Sequence, residues 1–146
     1  MIKDVSFISD LKFGKLFEEK CLAFLSPYEE VEYAPDCRFS DWDLRVKHTN
    51  GETLTYEIKA DRMVRKTGNF FIEVKGKNGN PSGLETSKAD MYVLIKPTAD
   101  LQEVEFLYEV PIDTMREFYK NATNFRNSNT GSYGFLLKES EVEKLC

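Results

Sequence analysis

Cysteine and histidine are scarce in this sequence. Its 146 residues include three cysteines, Cys21, Cys37 and Cys146, and one histidine. The cysteines are odd in number and widely spaced, which favours a reducing compartment over a disulfide framework. Because the sequence has no Cys-x-x-Cys pair, a structural zinc site is not expected.

Long apolar runs are also missing. No stretch approaches the ~20 apolar residues that a membrane-spanning helix needs. The first residues, Met-Ile-Lys-Asp-Val-Ser, lack the apolar segment and cleavage site of a signal peptide. We therefore expect no membrane association and a cytoplasmic location.

The chain has no overall excess of positive charge. Its net charge is −5, from 20 Lys and Arg against 25 Asp and Glu, which counts against a non-specific nucleic-acid binder. Residues 59–77 depart from this balance, with six basic residues and two acidic ones. A basic stretch suits contact with phosphate groups, although a solvated charged loop has the same composition.

The size and composition favour one domain over residues 1–146. Hydrophobic residues make up 41% of the chain and aromatic residues 13%, enough for a packed core. Residue periodicity and the Gly and Pro positions predict an α/β fold, a mixed central sheet flanked by helices. The predicted helices cover 7–26, 82–89, 111–122 and 139–145; the predicted strands cover 28–33, 69–75, 90–96, 104–110 and 133–138; a hairpin lies within 38–59, a basic loop at 60–68 and a further loop at 124–134.

The hairpin within residues 38–59 is the most informative stretch. Apolar and polar residues alternate on both sides of an Asn-Gly turn, which is a strong hairpin signal. A three-residue loop at 49–51 keeps the apolar positions of both strands on one side of the sheet. Such a loop needs a left-handed residue at its end, and Gly51 is there.

This register makes two carboxylates neighbours. Asp43 falls opposite Glu57, with Cβ atoms roughly 5 Å apart, and Lys59 follows on the same face. Asp41 shares the face and is the rival for the place of Asp43. Like charges so close destabilise a sheet unless a cation lies between them, and oxygen ligands of this kind suit Mg²⁺ or Mn²⁺. The alternative is a solvated polar face with a chance carboxylate pair.

A third carboxylate comes from the first predicted helix. Helical spacing surrounds Glu18 with apolar residues, whereas Glu19 has more polar neighbours. A glutamate on an apolar face is unfavourable unless it is paired or bound to metal. Gly14, one turn earlier, would let another group approach the helix closely. The alternative is that Glu18 reaches solvent at the helix edge.

Glu18, Asp43 and the tripeptide Glu57-Ile58-Lys59 together resemble the motif of the PD-(D/E)XK nuclease superfamily. In that family a helix precedes a mixed sheet, an Asp begins the second strand, and Glu-x-Lys lies on the third. The sequence departs from the motif at position 42, where Trp stands in place of the proline.

Two more segments carry the resemblance, which covers roughly residues 8–96. Gly14-x-x-x-Glu18 looks like the first-helix motif of archaeal-type Holliday junction resolvases. Segments between residues 56 and 90 are similar to small phage nucleases of the same superfamily. The family has a restriction-endonuclease-like core, and its members would act in the cytoplasm of a bacterial or phage-infected host cell.

The resemblance implies metal-dependent hydrolysis of DNA phosphodiester bonds. Mg²⁺, or Mn²⁺, would be held by Asp43, Glu57 and the Ile58 carbonyl, and Lys59 would position or activate the attacking water. Glu18 would bind a second metal ion or orient Lys59. The substrate could be branched DNA, and a homodimer would pool the basic loops. The phosphate-gripping residues would be Arg62, Arg65 and Lys66.

Several alternatives stay open at this point. The protein could be an exonuclease on the same core, or a catalytically silent subunit that binds a protein partner. Glu73, part of a second Glu-x-Lys, either lines the site or is ordinary strand polarity. Ser87 and Lys88 resemble a family position near the substrate, but a plain helix surface is favoured for both.

Overall fold

The computed structural model describes residues 10–35, 39 and 41–145. The predicted helix start at 7–9, Cys37 and Cys146 lie outside these residues. The described part contains four α-helices, eight strands and two short 3-10 turns. The helices are α1 (Asp10–Cys21), α2 (Val64–Thr67), α3 (Ile112–Asn121) and α4 (Glu139–Glu143); the strands are β1 (Tyr28–Tyr33), β2 (Leu44–His48), β3 (Thr53–Ala60), β4 (Asn69–Lys75), β5 (Met91–Pro97), β6 (Val104–Pro111), β7 (Phe125–Asn127) and β8 (Tyr133–Lys138); the 3-10 turns are Leu22–Phe24 and Gly83–Glu85.

A five-stranded mixed sheet forms the centre, in the order β1-β2-β3-β5-β6. Strands β3 and β5 run parallel, and the other neighbours are antiparallel. This confirms the predicted α/β architecture with a mixed sheet flanked by helices. Helix α1 packs its apolar side on one face through Phe17, while Met115 of α3 belongs to the core on the other face. None of the helices in the described residues is long and apolar enough to cross a membrane.

Strand β4 belongs to a second sheet, which the sequence did not predict. This antiparallel sheet has the order β4-β8-β7. In β4 alternate residues are buried, namely Phe70, Ile72 and Val74. Alternation indicates that one face is covered, but it does not say which strand pairs with which. The prediction of one sheet was therefore wrong for β4 and β8.

Two predicted loops contain secondary structure. Residues 64–67 of the basic loop form the single turn α2, which ends at Gly68 in the left-handed conformation (φ 77°). Residues 125–127 of the loop at 124–134 form β7, which pairs with β8. Both elements are too short to give a periodic signal, so tertiary contacts decide them.

The predicted helix at 82–89 is only the 3-10 turn Gly83–Glu85. Ser82, the residue before this turn, makes no side-chain capping hydrogen bond. Its hydroxyl instead donates to Glu73 Oε2 at 2.6 Å. At Gly83 (φ 57°) a Cβ atom would lie 2.3 Å from the Glu73 carbonyl oxygen. Close packing of this segment on β4 therefore replaces the helix.

The hairpin adopts the predicted register. Arg45 is opposite Thr55, and the His48 N–H donates to the Glu52 carbonyl at 2.8 Å across a loop at 49–51. Gly51 has φ 93°, the left-handed conformation that the loop requires. In β2 the alternate side chains of Leu44, Val46 and His48 are buried. The turn glycine thus sets which carboxylates meet at the other end of the hairpin.

Candidate active site between the two sheets

An open cleft of about 400 Å³ lies between α1, the end of the β2–β3 hairpin and the second sheet. It contains most of the residues that the sequence singled out. Glu57 is buried next to the cleft, against Asp43. Arg65, Lys66 and Asp41 do not line it. The lining residues include Gly14, Glu18, Asp43, Ile58, Lys59, Asp61, Arg62, Phe71, Glu73, Ser128, Thr130 and Ser132.

Asp43 and Glu57 form the centre of the site. The β2–β3 ladder ends at Leu44, opposite Tyr56, so Asp43 lies one residue beyond it. The Asp43 backbone N–H still donates to the Tyr56 carbonyl at 2.8 Å, and its Oδ2 accepts the Ile58 N–H at 2.7 Å. This brings the two carboxyl groups into a hydrogen bond with each other. The predicted proximity is confirmed.

The hydrogen bond between two carboxyl groups requires a proton. Burial and, next in size, the charge of Asp43 together raise the pKa of Glu57 to about 7. Burial also raises the pKa of Asp43, against the lowering effects of the Ile58 N–H and of Lys59. The pair therefore retains a proton at pH values where exposed carboxylates have lost theirs.

Glu57 has a second polar neighbour that sequence reasoning missed. The Ser87 hydroxyl acts against the rise in the pKa of Glu57. Ser87 is only 1% exposed, and its hydroxyl donates to the Asp41 carbonyl at 3.4 Å. The Ser87 carbonyl in turn accepts from Arg116 at 2.6 Å. The prediction of a plain helix surface was wrong for Ser87, because no helix forms there and the chain turns inward. Lys88 is exposed, as that prediction expected, but it does not lie on a helix.

Lys59 lies among the carboxylates. Burial lowers the pKa of Lys59, but Glu57, Asp43 and Glu73 raise it by more, so the net shift is upward. The ammonium group is therefore protonated at neutral pH. A protonated lysine is a cation that can stabilise negative charge, and it is not itself a base.

Glu18 reaches the cleft from α1. Its side chain is 13% exposed, with Lys15 Nζ at 3.7 Å, whereas Glu19 is exposed. Burial, followed by the charge of Asp43, raises the pKa of Glu18. Beside it a Cβ on Gly14 would meet no atom within 4 Å. The helix-face prediction is confirmed, and the catalytic role of Glu18 stays a prediction.

The donor set bears on metal binding. Among residues 10–35, 39 and 41–145, no three or more His, Cys, Asp or Glu side chains are grouped to hold a metal ion. The Asp43–Glu57 pair supplies two carboxyl groups, and the Ile58 carbonyl is the third donor that the sequence suggested. Two buried carboxyls that share a proton lie close together, and a cation can bind between them in place of that proton. Mg²⁺ uses one or two carboxylates and completes its shell with water and substrate oxygens, so these donors fit it.

The second sheet supplies the opposite wall of the cleft. Glu73 of β4 lines the cleft and accepts the Ser82 hydroxyl, so the first of its two interpretations is the right one. Asp61 accepts the N–H groups of Met63 and Phe71, both at 2.8 Å. It therefore ties the end of β3 to β4 and fixes the distance between the walls.

The three predicted phosphate-binding residues have different surroundings. The guanidinium of Arg62 lies 4.4 Å from the centre of the Phe13 ring, in the cleft wall. Arg65 forms an ion pair with Glu105, so its charge is already offset. Lys66 is exposed. Their contact with DNA stays a prediction.

A buried tyrosine beside Glu57 was not foreseen. Tyr92 of β5 is opposite Glu57 in the parallel β3–β5 ladder and is fully buried. Its hydroxyl has no hydrogen-bond partner in the described residues. Burial, followed by the charges of Glu57 and Asp43, raises the pKa of Tyr92. A tyrosine within an apolar run is interpreted as a core residue. The sequence therefore gives no signal that this one lies beside the carboxyl pair.

Comparisons with known proteins connect this geometry to a fold. No family model and no curated protein matches the sequence. Among solved structures, the bacterial homing endonuclease I-Ssp6803I matches with a TM-score of 0.50 and 17% identity, over 94% of this chain and 80% of that chain. The likeness shows that the chain has a fold similar to that of this protein. The PD-(D/E)XK superfamily and its phage branch stay predictions from the motif.

Proposed function

We propose that the protein is a DNA endonuclease that depends on Mg²⁺ or Mn²⁺. The observation that supports this best is the Asp43–Glu57 carboxyl pair next to the protonated Lys59, in a cleft open to solvent. A site for phosphodiester hydrolysis needs anionic ligands for a metal ion and a fixed cation near the reacting phosphate. The nuclease-like fold agrees with this combination.

Each residue of the site has a role in this proposal. Asp43, Glu57 and the Ile58 carbonyl would hold the ion, which when bound would offset phosphate charge and acidify water. Lys59 would stabilise charge that develops on the phosphate oxygens. The Ile58 N–H holds Asp43, so this carboxyl is oriented before the substrate arrives, and the buried Ser87 hydroxyl lies beside Glu57.

Glu18 and the substrate type are the finer parts of the proposal. Glu18 would bind a second ion or keep Lys59 in place, since its charge acts on Lys59. Branched DNA is the proposed substrate, on the resolvase-like Gly14-x-x-x-Glu18 motif. An exonuclease is the second candidate on the same core. A silent binding subunit is less favoured, because nothing in the set Glu18, Asp43, Glu57 and Lys59 is lost.

The test compares DNA substrates with and without metal. Closed circular, linear, flap and four-way-junction DNA are incubated with Mg²⁺, with Mn²⁺ or with EDTA. Wild type is compared with Asp43→Asn and Lys59→Ala, and Glu19→Gln serves as the control for Glu18→Gln. Cutting of closed circles identifies an endonuclease because they have no ends. Metal-dependent cutting that survives both Asp43→Asn and Lys59→Ala would overturn the site, and no cutting of any substrate would favour the binding subunit.

A further inference from the structure

The basic residues after β3 have less free charge for DNA than the sequence indicated. Arg65 is paired with Glu105, and Arg62 lies on the Phe13 ring. The cleft lining itself contains more carboxylates than cations. A phosphate backbone that enters this cleft therefore needs positive charge from another surface close by.

The second sheet has such charge on its cleft side. Glu73 is opposite Gly134, and Gly134 is opposite Arg126, so Glu73 and Arg126 project from the same face of the sheet. Glu73 lines the cleft, and that fixes the side on which Arg126 lies. Arg126 is exposed and forms no ion pair with a carboxylate in the described part of the chain.

A lysine just beyond β4 extends this charge. Lys77 is exposed and lies next to the β7–β8 loop, since its Cβ is 3.3 Å from where a Cβ on Gly131 would be. It pairs with no carboxylate of the described residues. Lys75 does not share this face, because it is opposite Tyr133, whose ring packs on the apolar side of the sheet. Lys77 and Arg126 are therefore the two cations beside this loop.

The loop between β7 and β8 brings hydroxyl groups to the cleft. Ser128, Thr130 and Ser132 all line it. Ser128 Oγ lies 2.7 Å from Ser132 Oγ and 2.9 Å from Thr130 Oγ1, and the Ser132 N–H donates to Ser128 Oγ at 3.2 Å. This network fixes the loop before anything binds. Hydroxyls and cations together are the groups that proteins use to hold DNA phosphates.

We propose that the β7–β8 hairpin surface, formed by Lys77, Arg126 and the loop 128–132, binds the DNA phosphate backbone on the side of the cleft opposite Asp43. The inference rests on the proposed function, because it takes the substrate to be DNA. The β7–β8 hairpin surface binds the DNA backbone outside the cleft, while Lys59 acts on the reacting phosphate. The acidic cleft then receives only the reacting phosphate. The neighbouring phosphates of the same strand are bound outside the cleft by the β7–β8 hairpin surface.

Binding is measured without catalysis, by fluorescence anisotropy of labelled duplex DNA in EDTA at several salt concentrations. The double variant Lys77→Ala/Arg126→Ala is compared with Lys120→Ala/Lys144→Ala, which removes the same charge at exposed positions that do not line the cleft. We expect the first variant to raise Kd ~10-fold and to reduce the slope of log affinity against log salt by about 2, since each lost phosphate contact removes about 0.9. The control is expected to stay within about twofold of wild type.

A second variant, Thr130→Glu, puts a negative charge on the loop without removing a cation. It is expected to bind DNA more weakly than wild type does. Thermal melting of each variant checks folding. Equal weakening by both double variants, unchanged binding in the first, or no DNA binding by wild type would overturn the inference. Failure of the proposed function is read separately, as the absence of metal-dependent cutting by wild type.

Discussion

The carboxyl groups of Asp43 and Glu57 are hydrogen-bonded to each other beside the cleft. Glu57 is 8% exposed, and its raised pKa makes it the donor of the pair. Within this pair a proton occupies the position that the proposal gives to a divalent ion. We therefore expect measurable effects on protonation as well as on DNA cutting.

Stability without metal should fall as pH rises from about 5 to 7. Glu57 has an ordinary pKa of 4.5 when unfolded and about 7 when folded, so the folded protein binds more protons in that window. The expected loss in free energy of unfolding is on the order of 1–3 kcal/mol, measured by urea denaturation in EDTA. In Asp43→Asn the like charge is gone, and the slope should be smaller. A slope equal to that of wild type in this variant would contradict the coupling.

Ser87→Ala should lower DNA cutting by ~10-fold or more, because partners that orient ligand carboxylates typically contribute 10–100-fold. The Ser87 hydroxyl acts against the rise in the pKa of Glu57, so its loss should also move the pH profile of cutting upward. The control is Lys88→Ala, at the exposed neighbouring position, with cutting expected near wild type. A reduced rate with no shift in the pH profile would indicate that Ser87 acts only through folding.

Tyr92→Phe should leave the free energy of unfolding unchanged or raise it by about 1 kcal/mol, since a buried hydroxyl without a partner is unfavourable. Tyr108→Phe is the matched control, because the Tyr108 hydroxyl donates to Glu139 at 2.7 Å. That variant should lose about 1–2 kcal/mol. Chemical denaturation compares the two. Equal losses would mean that the Tyr92 hydroxyl has a partner after all.

The parts of the site that follow from local geometry could be predicted from the sequence. A single turn residue, Gly51, fixes the register that brings Asp43 to Glu57, and helical spacing separates Glu18 from Glu19. These relationships depend on periods that the backbone imposes.

The remaining parts depend on which segments meet in three dimensions. Ser87 reaches Glu57 only because the segment after β4 packs on that strand in place of forming a helix. The strand β7 is three residues long, and its pairing with β8 leaves no periodic signal. The cleft wall that contains Glu73 requires a second sheet, and alternation along β4 cannot specify it.

The central claim is that the Asp43–Glu57 pair exchanges its shared proton for a divalent ion. Isothermal titration of Mg²⁺ or Mn²⁺ at about pH 6.5, repeated in buffers of different ionisation enthalpy, measures binding and proton release together. We expect binding with proton release in wild type and in Glu19→Gln, and loss of both in Asp43→Asn. Binding of equal affinity in Asp43→Asn, or binding without proton release in wild type, would contradict it.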